Sequence, residues 1–342
     1  MHQINPKTLI TEIKSNLRAG LNTMIWGGPG IGKSDIPAQV AEELGIGLLD
    51  FRANLFDPVD VRGIPHIVSL KDSGKRFTKW AVPDVFPIVE RDGDRGLLFI
   101  DELPTAPPAT QNAFLQLLLT RQVGDYTLPD GWSILAAGNR LTDSAAVYQM
   151  PSPVRNRLAH YELEPTIEAW AEWAFAKGID PSIISFLQFK PGLLNSFKAD
   201  EYAFPTPRSW SFVDQKLKVY DESIPEEDFF YGVSALVGDG PAGEFVAYKQ
   251  IADELPDITK LVAGETTYKV DKDGNPAVLY ALSGSLAAHT DADNLKNVMK
   301  IVDKLPVEYQ VITVKGALAK DKTLLKHADL KSWISANASV IL

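Results

Sequence analysis

Residues 27–34 read Gly27-Gly28-Pro29-Gly30-Ile31-Gly32-Lys33-Ser34, directly behind the apolar run Leu21-Asn22-Thr23-Met24-Ile25-Trp26. A nucleoside triphosphate presents several anionic oxygens that need many donors at close range. Glycines let the backbone curl so that consecutive N–H groups point at the phosphates. Lys33 can bridge the β- and γ-phosphates, and the Ser34 hydroxyl suits Mg²⁺. A helix starting here adds the positive end of its dipole. The apolar run before the loop and the amphipathic segment after it (Ile36, Val40, Leu44) set it apart from a chance glycine-rich turn. The pattern predicts nucleotide binding through Gly28, Pro29, Gly30, Ile31, Gly32, Lys33 and Ser34.

Two carboxylates follow. Leu97-Leu98-Phe99-Ile100-Asp101-Glu102 is a continuous apolar run that ends in acids. Such a run suits a strand buried on both faces, so the acids emerge at its C-terminal end, where open α/β sheets bind ligands. In that place Asp101 would share Mg²⁺ with Ser34, and Glu102 would orient and deprotonate the attacking water. A further strand, Trp132-Ser133-Ile134-Leu135-Ala136-Ala137-Gly138, delivers Asn139 to the same edge. An amide there can donate to the γ-phosphate and position the water. Taken alone, solvated acids at a strand end or an asparagine in a turn would be ordinary. Their order behind the phosphate loop gives them weight.

The elements that must position these groups follow from periodicity. Residues 5–20 predict a leading helix with Asn5 as N-cap and Pro6 at its first position. Strands near 21–26, 46–53, 97–101 and 132–138 alternate with helices at 33–44 and 107–121, the pattern of a parallel sheet wrapped by helices. Residues 122–131 predict a hairpin. Beyond Leu163 the pattern turns helical: Ile167 to Phe175, Pro181 to Phe189, Arg208 to Val219, Pro276 to Leu286, Asp291 to Val302 and Pro306 to Ala319.

Several blocks together resemble AAA+ ATPases, and within them the MoxR branch. They are GGPGIGKS at 27–34, DPVDVRG at 57–63, the long stretch from Leu97 to Asn139, PSPVRNRL at 151–158 and FPTPRSW at 204–210. The long stretch is the most specific, and the resemblance thins beyond about residue 210. It implies an α/β P-loop NTPase core over 1–160, an all-α lid over 161–225 and a mainly helical C-terminal region over 226–342. It implies an ATPase with ATP and Mg²⁺ as cofactors and Glu102 and Asn139 as catalytic groups. Arg155 or Arg157 would be an arginine finger entering a neighbouring subunit, with Arg157 the better match, and Arg208 would be a second sensor. The implied assembly is a homo-oligomeric ring, six-membered in the usual case, that remodels a protein client. A partner carrying a von Willebrand factor A domain is common in this branch. The chain departs from the branch at Gly28, Ile31 and Ser34, which keep the loop's chemistry. It departs again at Asn156-Arg157-Leu158, where relatives often have Asp-Arg-Phe, so the packing around that arginine differs. Trp26 is bulky for its place and reads as a strand residue covering the sheet.

Composition sets the bounds. The 342 residues are 45% apolar, enough for two or three domains with sizeable cores. Cysteine is absent, which excludes disulfides and thiolate metal sites, and the five histidines lack ligand spacing. No apolar run approaches the roughly 18 residues of a membrane span, and residues 1–7 lack a secretory layout. A cytoplasmic protein with no membrane partner is the expectation. The first 160 residues carry 16 basic and 17 acidic side chains, and the remainder 18 and 27. The acidic second half would repel nucleic-acid phosphates. Lys71, Lys75, Arg76 and Lys79 form a local basic stretch that reads as a solvated hairpin insertion. Three functional classes follow: a MoxR-like remodelling ATPase, a nucleic-acid motor or clamp-loader-like subunit, and a scaffold that binds ATP without hydrolysing it. The acidic half counts against the second, and Lys33, Asp101, Glu102 and Asn139 count against the third.

Overall fold

The computed structural model describes residues 2–69, 75–140, 143, 147–198, 200–220 and 224–337. The chain divides into two compact units, Met1–Glu164 and Pro165–Leu342.

The first unit runs β1 (Gln3–Ile4), α1 (Pro6–Ala19), β2 (Thr23–Trp26), α2 (Asp35–Leu44), β3 (Gly47–Arg52), α3 (Pro58–Arg62), β4 (Ile64–Ser69), β5 (Arg76–Ala81), α4 (Val89–Asp92), β6 (Gly96–Asp101), α5 (Pro108–Thr120), β7 (Gln122–Val123), β8 (Tyr126–Thr127), β9 (Trp132–Gly138), α6 (Ser152–Arg155) and β10 (Ala159–Leu163). Six strands form one parallel sheet in the order β1-β10-β2-β9-β6-β3. All six residues of β6 are buried, as a strand covered on both faces requires. Side chains alternate between two cores. Met24, Leu98, Ile100, Ile134 and Phe114 fill one. Ile25, Leu97, Phe99, Leu135, Leu9, Ile13 and Val40 fill the other. Each large apolar side chain so buried contributes about 1.5–3 kcal/mol.

Local chemistry sets the element ends. Asn5 caps α1 by accepting from the Thr8 amide, Pro6 takes the first position, and Gly20 closes the helix in a left-handed conformation. Helix α2 begins at Asp35 rather than at Lys33. Residues 29–34 instead form successive turns, with φ of 71° at Gly30 and 95° at Gly32, and the amides of Asp35 and Ile36 both donate to the Gly32 carbonyl. Pro37 then falls in the first turn, where its missing N–H leaves nothing unpaired.

At the other end of the sheet, Trp132 opens β9 with its ring over two glycines. A Cβ added to Gly96 would lie 2.5 Å from the indole, and one added to Gly47 3.1 Å away. The indole Nε1 donates to the Gly93 carbonyl at 3.0 Å. The expected hairpin after α5 is β7–β8. Arg121 caps α5 in a left-handed conformation and donates to the carbonyls of Pro129 and Trp132 at 2.7 and 2.6 Å, so the return to β9 is tied at both ends. Strands β4 and β5 pair separately as an antiparallel ribbon whose residues are mostly exposed. The basic stretch therefore includes a hairpin at Arg76 and Lys79, while Lys71 lies outside the described residues.

Strand β10 carries no strong signal in the sequence. Its residues Ala159-His160-Tyr161-Glu162-Leu163 are mostly half-buried and show no clean alternation. Pairing with β2 on one side and β1 on the other makes it a strand. The unit consequently extends through residue 164.

The second unit has helices and no strand among its described residues: α7 (Ile167–Lys177), α8 (Pro181–Phe189), α9 (Pro207–Leu217), α10 (Glu226–Val237), α11 (Asp239–Asp253), α12 (Ile258–Ala263), α13 (Pro276–His289), α14 (Leu295–Val302), α15 (Val307–Lys320) and α16 (Ala328–Ala336). Phe186, Trp210 and Phe245 form an edge-to-face aromatic cluster at its centre. Thr206 and Ser209 cap the start of α9 reciprocally. No helix among the described residues is long and apolar enough to cross a membrane.

Candidate nucleotide site

Strand β2 ends at Trp26, the glycine loop follows, and β6 and β9 end beside it at Asp101 and Gly138. Three sequence-distant segments are thereby brought to one sheet edge. Lys33 is buried, and its ammonium donates to the carbonyls of Gly27 and Gly28 at 2.9 and 2.7 Å and to Asn139 Oδ1 at 2.8 Å. The Ser34 hydroxyl donates to Asp101 Oδ2 at 3.1 Å. The other Asp101 oxygen accepts the Glu102 amide at 2.9 Å. Asn139 Nδ2 reaches Glu102 Oε1 at 3.4 Å. Lys33, Ser34, Asp101, Glu102 and Asn139 thus form one hydrogen-bonded network.

Two backbone features hold this network. Glu102 adopts a left-handed conformation with φ 55° and ψ 31°, which costs a residue bearing a Cβ on the order of 1–3 kcal/mol. The turn Leu103–Thr105 that follows is fixed by the buried Gln111, whose amide donates to the Ala106 carbonyl at 2.9 Å and to that of Pro104 at 3.3 Å. Gly138 meets this turn closely. A Cβ there would stand 2.2 Å from Pro104 Cδ. Its carbonyl accepts the Gly27 amide at 3.3 Å, linking the end of β9 to the start of the loop.

Burial, and after it the charge of Asp101, pushes the Glu102 carboxyl above the ordinary glutamate range. Lys33, a Thr105 hydrogen bond and Arg52 act against that rise. Thr105 Oγ lies 3.3 Å from Glu102 Oε2. Arg52 ends β3 and is in register with Asp101. Neither residue stood out in the sequence. Thr105 could have been found from its position three residues after an acid in a tight turn, while Arg52 required knowledge of the strand pairing.

The arginines differ in surroundings. Arg155 ends α6 and is exposed, with no side-chain partner among the described residues. Arg157 is half-buried and folds back to donate to the Pro153 carbonyl, while its Nε is buried without a partner among the described residues. Arg208 lies on the exposed side of α9, in the second unit. Trp26 is half-buried against the sheet core, and its indole stacks on His160 with centroids 6.0 Å apart.

A parallel sheet with a glycine loop between its central strand and the next helix, and an acid pair on a nearby strand, is a P-loop NTPase fold. No protein-family model matches the chain, and no curated protein matches it. Solved structures to which it is similar include NtrX from Brucella abortus in complex with ADP. That match is 14% identical, covers 98% of this chain and 68% of the other, and has a TM-score of 0.41. They also include the RuvB Holliday junction branch migration motor of Thermotoga maritima, at 17% identity, covering 85% of this chain and 83% of the other, with a TM-score of 0.38. Likeness of this degree says nothing of this chain's chemistry, which rests on its own residues.

Proposed function

We propose that the chain is a Mg²⁺-dependent ATPase of the AAA+ class, close in kind to MoxR proteins, which works as a ring to remodel a protein client. The continuous network from Lys33 through Asn139 and Glu102 to Asp101 and Ser34 is the observation that carries this reading. A non-hydrolytic scaffold has no need of a carboxylate held in a strained backbone beside the phosphate lysine.

The residues present fit both cofactors. A hydroxyl and a carboxylate 3.1 Å apart are the hard oxygen donors that Mg²⁺ prefers. Mg²⁺ would be held by Ser34 and Asp101 and would neutralise phosphate charge. The loop amides of Gly28 to Ser34 would surround the phosphates, and Lys33 would exchange carbonyl partners for phosphate oxygens. Glu102 would take the proton from the attacking water, with Asn139 orienting that water through its amide. A guanidinium from Arg155 or Arg157 of a neighbouring subunit would stabilise the charge spread over the transferring group, an effect worth roughly 10³–10⁵ in rate. Arg208 would report the state of the γ-phosphate to the helical unit. The client and a von Willebrand factor A partner belong to the MoxR resemblance, and trapping the ring on its partner with Glu102→Gln would identify them.

Direct assay tests the chemistry. Glu102→Gln should retain ATP binding and lose about 10²–10⁴ in hydrolysis, the usual worth of a placed general base. Lys33→Ala should weaken binding itself. Wild-type turnover in Glu102→Gln would remove the base from this site. DNA affinity that falls steeply with added salt would instead favour a nucleic-acid motor.

A further inference from the structure

The end of β2 is joined to the arginine segment by a two-bond link that the hydrolytic site does not itself use. Trp26, the residue before Gly27, donates from Nε1 to His160 Nδ1 at 2.9 Å. The other ring nitrogen, His160 Nε2, lies 2.8 Å from the Arg155 carbonyl. Indole can only donate and a carbonyl can only accept. One state of the imidazole satisfies both: neutral, with the proton on Nε2. His160 stands on β10 beside β2, in register with Met24, and the Trp26 and His160 rings lie nearly parallel at 21°.

The link matters because of where α6 ends. This helix has only four residues, with Val154 its one buried anchor. Its last carbonyls lack partners of the helix's own. The Arg155 carbonyl accepts the Leu158 amide at 3.3 Å and the His160 imidazole at the shorter 2.8 Å. Beside the buried Val154 and Leu158 and the backbone bonds of the turn, the restraint on the Arg155–Arg157 segment therefore includes a side chain bonded to the phosphate-loop strand.

We propose that His160 is a positioning residue that couples the phosphate loop of its own subunit, through Trp26, to the orientation of the Arg155–Arg157 segment offered to the next subunit. This rests on the ATPase reading above. A shift of the loop on exchanging triphosphate for diphosphate moves Trp26, and the link transmits that movement to the arginine carrier. Displacing a catalytic group by an ångström can cost up to about 10² in rate, so a link that sets the arginines' direction affects turnover more than binding.

The test compares His160→Phe, which removes both hydrogen bonds, His160→Gln, which keeps an acceptor and a donor, and Trp26→Phe, which removes one donor from the other side. Glu102→Gln serves as the hydrolysis-dead reference. Each is assayed for kcat and KM with Mg-ATP and for affinity towards a fluorescent ATP analogue, with folding checked by thermal melting. The expected result is a kcat reduced roughly tenfold or more in His160→Phe and Trp26→Phe, KM and affinity within about twofold of wild type, and recovery of most of the rate in His160→Gln. Histidine-selective ¹⁵N NMR, with the His160 signal assigned by its loss in His160→Gln, should show Nδ1 bare and Nε2 protonated. A wild-type kcat in His160→Phe, or a proton on Nδ1, overturns the coupling and leaves the ATPase reading standing. If wild type hydrolyses no ATP above the protein-free background, the ATPase reading itself fails and the coupling falls with it. Should His160→Phe not fold, Trp26→Phe decides by the same criteria.

Discussion

Glu102 carries a conflict that should be measurable. Its carboxyl is raised by burial and by Asp101, so it ionises at higher pH than an ordinary glutamate near 4.3. A general base works only when ionised, so the acid limb of kcat/KM, which reports the free enzyme, should lie above that value. Arg52 opposes the rise, and Arg52→Ala should move the limb to still higher pH. A pH profile of kcat/KM for the two proteins checks this, and an unmoved limb would dissociate Arg52 from Glu102. Linkage gives a second expectation. An acid whose folded pKa is raised contributes stability that is fully present below its unfolded pKa and lost as pH rises through the folded one. Glu102→Gln should therefore melt higher than wild type at neutral pH, with the gap closing near pH 4, and melting curves at both pH values read it directly. The loop and the acid pair were legible because glycines, a lysine and a buried acidic strand end have few other uses at that spacing. The Glu102–Thr105 contact had only the weak signal of a threonine three residues after an acid, and the link from Trp26 through His160 was not legible, since it depends on the pairing of β10.

Among the elements, the close approach of β9 to the turn Leu103–Thr105 aligns Asn139 with Glu102. Gly138→Ala would push a methyl carbon to within 2.2 Å of the Pro104 ring, which is too stiff to swing aside. The strand end and the turn must separate, at about 1–3 kcal/mol by the scale of overpacking. The variant should lose that much stability by urea titration and lose more in kcat than in nucleotide affinity, because Lys33 and the loop remain. Wild-type stability would show that the turn yields without cost. Strands β2, β6 and β9 and helices α1 and α5 were readable from apolar runs and end signals. Strand β10 was not, because half-buried edge-side residues carry little periodicity. The start of α2 lies two residues beyond where periodicity predicts it, because the glycine turns use up Lys33 and Ser34 first.

For the whole molecule, the main expectation is a site shared between chains. Lys33, Ser34, Asp101, Glu102 and Asn139 supply charge, metal ligands and water orientation from one side, while Arg155 ends α6 exposed. Specific activity should rise with protein concentration if a neighbour completes the site. Chains with both Arg155→Ala and Arg157→Ala, mixed with Glu102→Gln chains, should recover part of the hydrolysis that neither has alone, because some interfaces then pair an intact Glu102 with intact arginines. The comparison needs gel filtration to show that both assemble and exchange. Concentration-independent turnover by a monomer would end the shared-site account. The division into an α/β unit and a helical unit was visible in the change of periodicity after Leu163. The strand pairing that carries the first unit through residue 164 was visible only in three dimensions.

The indole of Trp132 over Gly47 and Gly96 has a consequence for how this chain can change through descent. Gly96 cannot gain a methyl group while the indole keeps its place, since the added carbon would lie 2.5 Å from the ring. At Gly47 the ring and the Asp92 carbonyl, each 3.1 Å away, would have to give by a few tenths of an ångström. The tryptophan in turn cannot shrink without opening a void over two bare backbones and leaving the Gly93 carbonyl without its indole donor. Gly96 and Trp132, far apart in the sequence, therefore constrain one another, and Gly47 is tied to them more loosely. A change at Gly96 or Trp132 alone must pass through a strained or voided intermediate, so these two should change together or not at all.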